Sequence, residues 1–481
     1  MAETESLGHK ALKGTIWASI DRFSTIGIQF IVNLVLARLL LPSDFGAIGM
    51  LTIFIGVTQV IIDGGFISAL IQKKDPTQTD YSTIFYWNVA LALLLYAILF
   101  ITAPYIAEFY RMPVLTGVLR ALGLWVIAFS INVVQTARLR KSLSFRFIAI
   151  TNLSAIISSG GIGIILACNG FGVWSLVAQQ ISYGVITTIV YYILTHWHPS
   201  LTFSIKSLRE LFGFGGYMFI ATVLQEICRN FQGIIIGRRF SATQMGYYTQ
   251  AQRLDMVTSN ALPQVIAQVM FPVYSSMQDD NEQLTHTIKT NIHIIAFLVF
   301  PLMGMLIIAA EPIIVLLYGD KWIPCAIFFQ ILCCGGAFSS LQNVNYYAVA
   351  AVGKSRQLFI WSFYKWGFML AAMFIGMNFG ILGLMWGLVL SSLNIYLVNA
   401  LLVARFIHFS IFTQFRLLAP LFFTTLLGMA AGGALYYYLD INKIVCGLCC
   451  GFVFLLLNIA FRTDAFATIT AVLNKLIHRH K

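Results

Sequence analysis

The chain has 481 residues, 59% hydrophobic and 14% aromatic but only 10% charged; a water-soluble domain carries about 25% charged residues, so this chain cannot clothe an aqueous surface. Its formal net charge of +12 falls in short loops between apolar segments, where basic residues set membrane orientation, and this excludes a nucleic-acid-binding reading. Apolar runs of about 20 residues, each able to cross a hydrocarbon core of about 30 Å, recur from end to end, and they are continuous rather than alternating, which selects helices over a barrel.

The start, MAETESLGHKALKG, has neither a cationic leader nor a small-residue cleavage site, so no removable signal peptide is expected. Helical spans follow near 15–36, 46–71, 83–107, 115–137, 148–168 and 172–195, then near 213–237, 246–272, 288–310, 323–350, 358–378 and 380–404, with two more near 414–436 and 443–461. The expected fold is therefore an all-α polytopic membrane protein of about fourteen transmembrane helices. With the N-terminus inside, more than half of the 30 basic residues fall on the inner side, among them Lys73, Lys74, Arg138, Arg140, Lys141, Arg416 and Arg462. Both termini are accordingly expected in the cytoplasm.

Two segments outside the spans carry amphipathic spacing. SLTFSIKSLRELF (200–212) places Ile205, Leu208 and Leu211 or Phe212 at helical intervals beside Lys206 and Arg209, and the C-terminal stretch does the same with Phe466, Ile469, Leu473 and Leu476. Both are expected to lie in the cytoplasmic interface; a solvated helical tail is the alternative for the second. Cys446, Cys449 and Cys450 form CGLCC inside the last span, without histidine or acidic neighbours. Packing as small soft side chains is expected there rather than a metal site, and no metal is predicted elsewhere.

An internal duplication organises the chain. ARLLLPSDFGAIG (37–49) and GRRFSATQMGYYT (237–249) align at an offset of 200, bringing Arg38 to Arg238, Gly46 to Gly246 and Trp17 to Tyr217. Further matches keep the same order: APYIAEFY with EPIIVLLY, Arg140–Ser142 with Gly353–Ser355, and GVWSL with GILGL. Six spans per unit is an even number, so both units enter from one side and the repeats are parallel. The expected division is an N-lobe over 1–199, a C-lobe over 200–410, and two accessory helices with an amphipathic tail over 411–481.

Charges inside the spans are informative because each costs at least about 2.5–3.5 kcal/mol at the bilayer centre and normally faces a cavity or a partner. Arg22, Gln29 and Asn33 share one face of the first span; Gln225, Arg229 and Gln232 share one of the seventh; Arg253, Asn260, Gln264 and Gln268 share one of the eighth. Guanidinium groups suit phosphate oxygens because their planar fork engages two at once. The bland alternatives are snorkelling and charge balance: Glu226 lies three residues before Arg229, and Arg253 lies within reach of the outer interface. Lys365 sits in WSFYKWGF, either as a cavity cation flanked by ring-stacking aromatics or as part of an interfacial aromatic belt. Asp63, in IIDGGF, precedes two glycines that loosen the second span; Asp63, Glu226 and Asp255 are candidates for coupling to an ion, or else balance the arginines.

The pattern KGTIWASIDRFSTIGIQFIVNLVLARLLLPSDFGAIGM (13–50), followed by IIDGGFISALIQ (61–72) and later GFGVWSLVAQQ (170–180), resembles the polysaccharide transporters of the MOP flippase superfamily, in particular the O-antigen and colanic acid exporters. The resemblance implies two six-helix lobes, a central cationic cavity, and export of undecaprenyl-pyrophosphate-linked oligosaccharide across the bacterial inner membrane by alternating access. It also implies a transporter rather than an enzyme, without cofactor, coupled to H+, Na+ or membrane potential, with lipid-linked oligosaccharide, membrane lipids and the polysaccharide assembly machinery as partners. That family has no short catalytic-style motif, so only the basic cavity is carried over, onto Arg22, Arg229, Arg253 and Lys365, with Gln29, Asn33, Gln232 and Asn260 as polar lining. A drug or cation antiporter of the same superfamily would instead be dominated by cavity carboxylates. A polysaccharide polymerase or ligase would need a sizeable outer loop, and the outer loops here are short.

Overall fold

The computed structural model describes residues 7–260 and 270–470, and every regular element among them is helical. Hydrocarbon offers no water to an open backbone, so a chain this apolar satisfies its peptide groups within helices. The first nine are α1 (Leu7–Leu39), α2 (Pro42–Asp63), α3 (Phe66–Gln72), α4 (Gln78–Phe109), α5 (Val114–Lys141), α6 (Phe145–Cys168), α7 (Val173–Thr195), α8 (Ile205–Arg239) and α9 (Ala242–Asp255), the last widening into a π turn over Met256–Asn260. Then come α10 (Asn281–Tyr318), α11 (Cys325–Ala351), α12 (Ser355–Gly376), α13 (Gly380–Ile407), α14 (Ile411–Leu439) and α15 (Lys443–Ala460).

Among the described residues, 11 helical stretches are long and apolar enough to cross a membrane. One of them, Ser355–Ile407, has 53 residues; a straight helix of that length would measure about 80 Å, far beyond the hydrocarbon core. It folds back instead. A 3-10 turn over Met377–Phe379 separates α12 from α13, Gly380 takes φ +81°, and a Cβ on Gly376 would lie 2.4 Å from the Gly383 carbonyl oxygen. The second expected span is likewise broken where its sequence loosens: Gly64 and Gly65 have φ of 50° and 75° between α2 and α3.

The chain divides into two compact units, Met1–Gly246 and Tyr247–Lys481. In the first, α1 packs on α6, α6 on α7, α7 on α5, α5 on α4, and α2 on α8. In the second, α10 packs on α11, α11 on α13 and α12 on α13, while α14 and α15 lie against each other and against α10. The flank of α4 that carries Leu93, Leu94, Ile98, Ile101 and Tyr105 is exposed, as a lipid-facing surface is.

The segment 196–204 is stapled to α4. Trp197 is buried; its Nε1 donates to Gln78 Oε1 at 2.8 Å, and the Gln78 amide returns a bond to the His198 carbonyl at 2.9 Å. Ser200 N and Ser204 N donate to Ser82 Oγ and Thr83 Oγ1 at 2.9 and 3.0 Å. Ser204 caps α8, accepting from Ser207 N. The expected interfacial helix over 200–212 is therefore corrected: residues 205–212 are the first turns of the 35-residue α8. The apolar face is spent inside the protein, because Leu211 and Leu208 pack with Phe66, Ile84 and Trp197. Beside them Lys73 bridges Asp80 at 3.0 Å and Glu210 at 3.4 Å. Burial, the largest single influence, disfavours the Lys73 charge, but the hydrogen bonds and charges of Asp80 and Glu210 together outweigh it and hold its pKa above the ordinary lysine value. Of the expected C-terminal amphipathic stretch, Leu473 and Leu476 lie outside the described residues.

Candidate functional site

On α1, Arg22 and Gln29 are exposed while Asn33 is buried. The neighbouring Asp21 is turned into the protein, where it accepts from Asn152 Nδ2 on α6 at 3.0 Å and from Thr25 Oγ1 at 3.4 Å; Tyr183 on α7 donates to Asn152 Oδ1. Asp21 is thus consumed in fastening α1 to α6 and α7. Among the described residues Arg22 has no carboxylate within ion-pair distance.

On α8 the side chain of Glu226 is 12% exposed and that of Arg229 is 67% exposed, and the two pair at 2.7 Å. Glu226 Oε1 also accepts from Asn230 Nδ2 at 2.7 Å, and a Cβ on Gly56 of α2 would lie 2.6 Å from that same oxygen. The carboxylate is seated on a glycine of the next helix and fixed by two donors. Arg229 spends only Nη2 on this pair, so the rest of its fork is presented outward. Gln232 is buried one turn further on. The Asn230 contact is legible at i+4 from Glu226; the Gly56 contact is not, since nothing in spacing says which helix faces α8.

The ends of α2, α8 and α9 meet without side chains between them. A Cβ on Gly46 would lie 1.7 Å from the Ala242 carbonyl oxygen, and a Cβ on Gly246 would lie 1.9 Å from the Pro42 carbonyl oxygen. Real Cβ atoms do not approach within 3.0 Å, so each position admits only glycine in this arrangement. Small residues allow helix backbones to touch in this way inside membranes. The two contacts are reciprocal at an offset of 200, since Gly46 corresponds to Gly246 and Pro42 to Ala242. Along the same seam a Cβ on Gly233 would lie 3.3 Å from Gly49 O, and one on Gly237 2.7 Å from Met50 and from Tyr110.

In the second unit Arg253 is exposed on α9. Asp255 accepts from Ser259 Oγ, and both pack on Gly336 of α11, whose Cβ would lie 3.1 Å from Asp255 Oδ1; Ser340 donates to the Ser259 carbonyl at 2.8 Å. The π turn at 256–260 makes this close fit; such turns are frequent at functional positions. The side chain of Asn260, and Gln264 and Gln268, lie outside the described residues. Lys365 is buried, and its Nζ donates to Asn399 Oδ1 of α13 at 2.5 Å, while Asn399 Nδ2 reaches the Gln342 carbonyl at 3.4 Å. Of its aromatic neighbours, Tyr364 accepts from Asn394 at 3.4 Å. Asp63, at the end of α2, has one buried oxygen without a hydrogen-bond partner among the described residues.

A family model described as "Polysaccharide biosynthesis protein" matches residues 35–327. The teichuronic acid biosynthesis protein TuaB of Bacillus subtilis (strain 168) is 25% identical over 441 residues, covering 89% of each chain. The succinoglycan biosynthesis transport protein ExoT of Rhizobium meliloti (strain 1021) is 25% identical over 306 residues, 64% of this chain and 62% of that one. Among solved structures, the lipid II flippase MurJ in an inward closed conformation superposes with a TM-score of 0.72 at 15% identity, over 92% of this chain and 98% of that one. At that identity the likeness speaks for the fold.

Proposed function

The chain belongs to the polysaccharide biosynthesis protein family, and from that membership we propose that it is a transporter, a flippase that moves lipid-linked oligosaccharide repeat units across the bacterial inner membrane. The relatives support the pathway: one is named for teichuronic acid biosynthesis and another for transport in succinoglycan biosynthesis. A pyrophosphate head bearing sugars cannot cross hydrocarbon unaided, because its charges and hydroxyls would lose water without replacement. The observation that carries the reading is Arg229, a guanidinium in the expected seventh span whose carboxylate partner is seated on Gly56 of α2 and whose remaining donors are presented outward. Arg22, free of the neighbouring Asp21, adds a second cation of the same kind.

Arg22, Arg229 and Arg253 are each candidates for the pyrophosphate, and Gln29, Asn33, Gln232 and Asn260 each for hydrogen bonds to sugar hydroxyls. Lys365, buried on Asn399, enters this set only when that contact opens. The proposed count of fourteen spans takes α2 with α3 as one, separates α12 from α13, and adds α8 and the segment that begins with α9 to the apolar stretches. Two six-helix lobes are supported by recurrent pairing, α4 on α5, α5 on α7 and α6 on α7 being matched by α10 on α11, α11 on α13 and α12 on α13. Basic loops favour both termini in the cytoplasm. Asp63, Glu226 and Asp255 are the groups through which H+ or Na+ would be coupled, membrane potential being the alternative drive at about 2.3 kcal/mol per charge per 100 mV.

The test is the sidedness of lipid-linked oligosaccharide in cells depleted of this protein, sized by mass spectrometry with and without a sugar-cleaving probe confined to the outer side. Depletion should build up a probe-resistant pool, and Arg22→Gln with Arg229→Gln should reproduce it. A pool that stays normal in size and accessible to the probe overturns the reading.

A further inference from the structure

Independently of what is transported, the second unit holds a polar cavity that the transport reading leaves unused. It measures about 730 Å³ and lies between the first turns of α10, the α13–α14 turn and the segment after α15. A second cavity of about 330 Å³ adjoins it, sharing His293, Leu417 and Asp464. Three cations stand around the pair: Lys289 on α10, Arg416 on α14 and Arg462 just beyond α15. Among the described residues none of the three is ion-paired. Lys289 has instead the ring of Phe409 at 6.0 Å. Two further donors, His286 and His408, line the larger cavity, and His293 is buried with its Nδ1 3.3 Å from Thr468 Oγ1.

The floor is of different character. Ile407 is buried, and Leu417, Leu421 and Phe461 continue the lining toward the apolar parts of α14 and α15. The lining thus combines a cationic part with an apolar one, as the interface of a membrane does between headgroup and acyl chain. Asp464 and Glu282 also face the cavity, so a purely anionic small ion meets repulsion on one side; a headgroup that carries hydroxyls beside its phosphate uses those carboxylates as acceptors. Basic pockets between transmembrane helices on the cytoplasmic side receive anionic lipid headgroups.

We propose that this paired cavity is a binding site for an anionic phospholipid with a hydroxylated headgroup, of the phosphatidylglycerol type, its phosphate held by Lys289, Arg416 and Arg462 and its acyl chains leaving over Leu417 and Phe461. The lipid joins α14 and α15 to α10, and so ties the accessory helices to the rest of the second unit.

The full chain, purified in detergent and stripped of lipid, is titrated with phosphatidylglycerol, phosphatidylethanolamine and inorganic phosphate and read by native mass spectrometry. Phosphatidylglycerol is expected to bind as a retained adduct and phosphatidylethanolamine at least ten-fold more weakly. Each cation is worth about five-fold, so Lys289→Gln/Arg416→Gln/Arg462→Gln should weaken the adduct by about two orders of magnitude, and the exposed single variant Arg416→Gln, which leaves packing untouched, by about five-fold. Lys206→Gln/Arg209→Gln, on the first turns of α8, should leave it unchanged. Equal retention of the two lipids, an adduct indifferent to both cavity variants, or displacement by millimolar inorganic phosphate would each overturn the proposal, the last in favour of a free-phosphate site.

Discussion

Gly46→Ala is the smallest change that probes how α2 and α9 close on each other. The added methyl would sit 1.7 Å from the Ala242 carbonyl oxygen and 2.6 Å from its carbon, both backbone atoms with no rotamer to yield. Reaching the 3.0 Å that real Cβ contacts require moves the helix ends apart by more than about 1 Å, an overpacking that costs about 1–3 kcal/mol. If closed and open arrangements of this seam are in equilibrium, that cost shifts the ratio about 5- to 150-fold toward the open one. Hydrogen–deuterium exchange over residues 42–50 and 242–250 should rise in the variant, together with a lowered melting temperature. Gly246→Ala, whose methyl would lie 1.9 Å from the Pro42 carbonyl oxygen, should do the same. One separation relieves both clashes, so the double variant should cost less than the two singles added together. Gly161→Ala on α6, with nothing within 4 Å of its Cβ, is the control and should be neutral or stabilising by about 0.5–1 kcal/mol. Unchanged exchange in Gly46→Ala, or strict additivity of the pair, would refute the reciprocal contact.

Three further outcomes follow from other contacts. Asn399→Ala removes the acceptor that holds buried Lys365 and should cost about 1.5–3 kcal/mol, whereas Lys365→Met/Asn399→Leu should recover most of that loss in a melting experiment; a double variant as unstable as Asn399→Ala would show the lysine to be otherwise supported. Trp197→Ala empties a buried site lined by Tyr81, Phe85 and Arg138 and should cost about 3–5 kcal/mol, a cost absent if the 196–204 segment is a loose tether. Because the Lys73 pKa is raised in the folded chain, its contribution is fully present below the ordinary lysine range and is lost as pH rises through the raised value. The melting temperature should therefore fall in the native chain as pH rises above the ordinary lysine value and less steeply in Lys73→Gln; parallel curves would remove Lys73 from the account.

The helices were legible because hydrocarbon leaves the backbone one solution, so apolar run length alone locates α4, α5, α7 and α10 to within a few turns. The break at Gly64–Gly65 was legible for a local reason as well. What a helix face meets is a different matter. Leu208 and Leu211 have the same spacing whether they rest on lipid or on Phe66 and Trp197, and the structure chose the protein, while Ile205 at the start of the same face stays exposed. Lys365 among aromatics reads equally as a cavity cation or as part of an interfacial belt, and neither reading names its partner, Asn399, 34 residues away on α13. Asp21 and Arg22 are adjacent in sequence and opposite in role, because consecutive helical residues point about 100° apart; only the position of Asn152 shows which one is consumed.

The expected duplication matches Gly46 with Gly246, and their contact gives that match a physical reason that the spacing alone does not supply. Similar sequences at an offset of 200 would keep Gly46 and Gly246 simply through common descent, and most matched positions have in fact diverged, Pro42 to Ala242 among them. The reciprocal contact separates the two kinds of position. At Pro42 and Ala242 the partner is met by a backbone carbonyl, which every residue has, so the side chains are free to differ. At Gly46 and Gly246 the partner is met by the space where a Cβ would stand, and only glycine leaves it empty. Because each glycine faces a backbone carbonyl of the other segment, the contact places this demand twice, once on each. Relaxing the contact at one glycine alone should therefore remove the constraint from both.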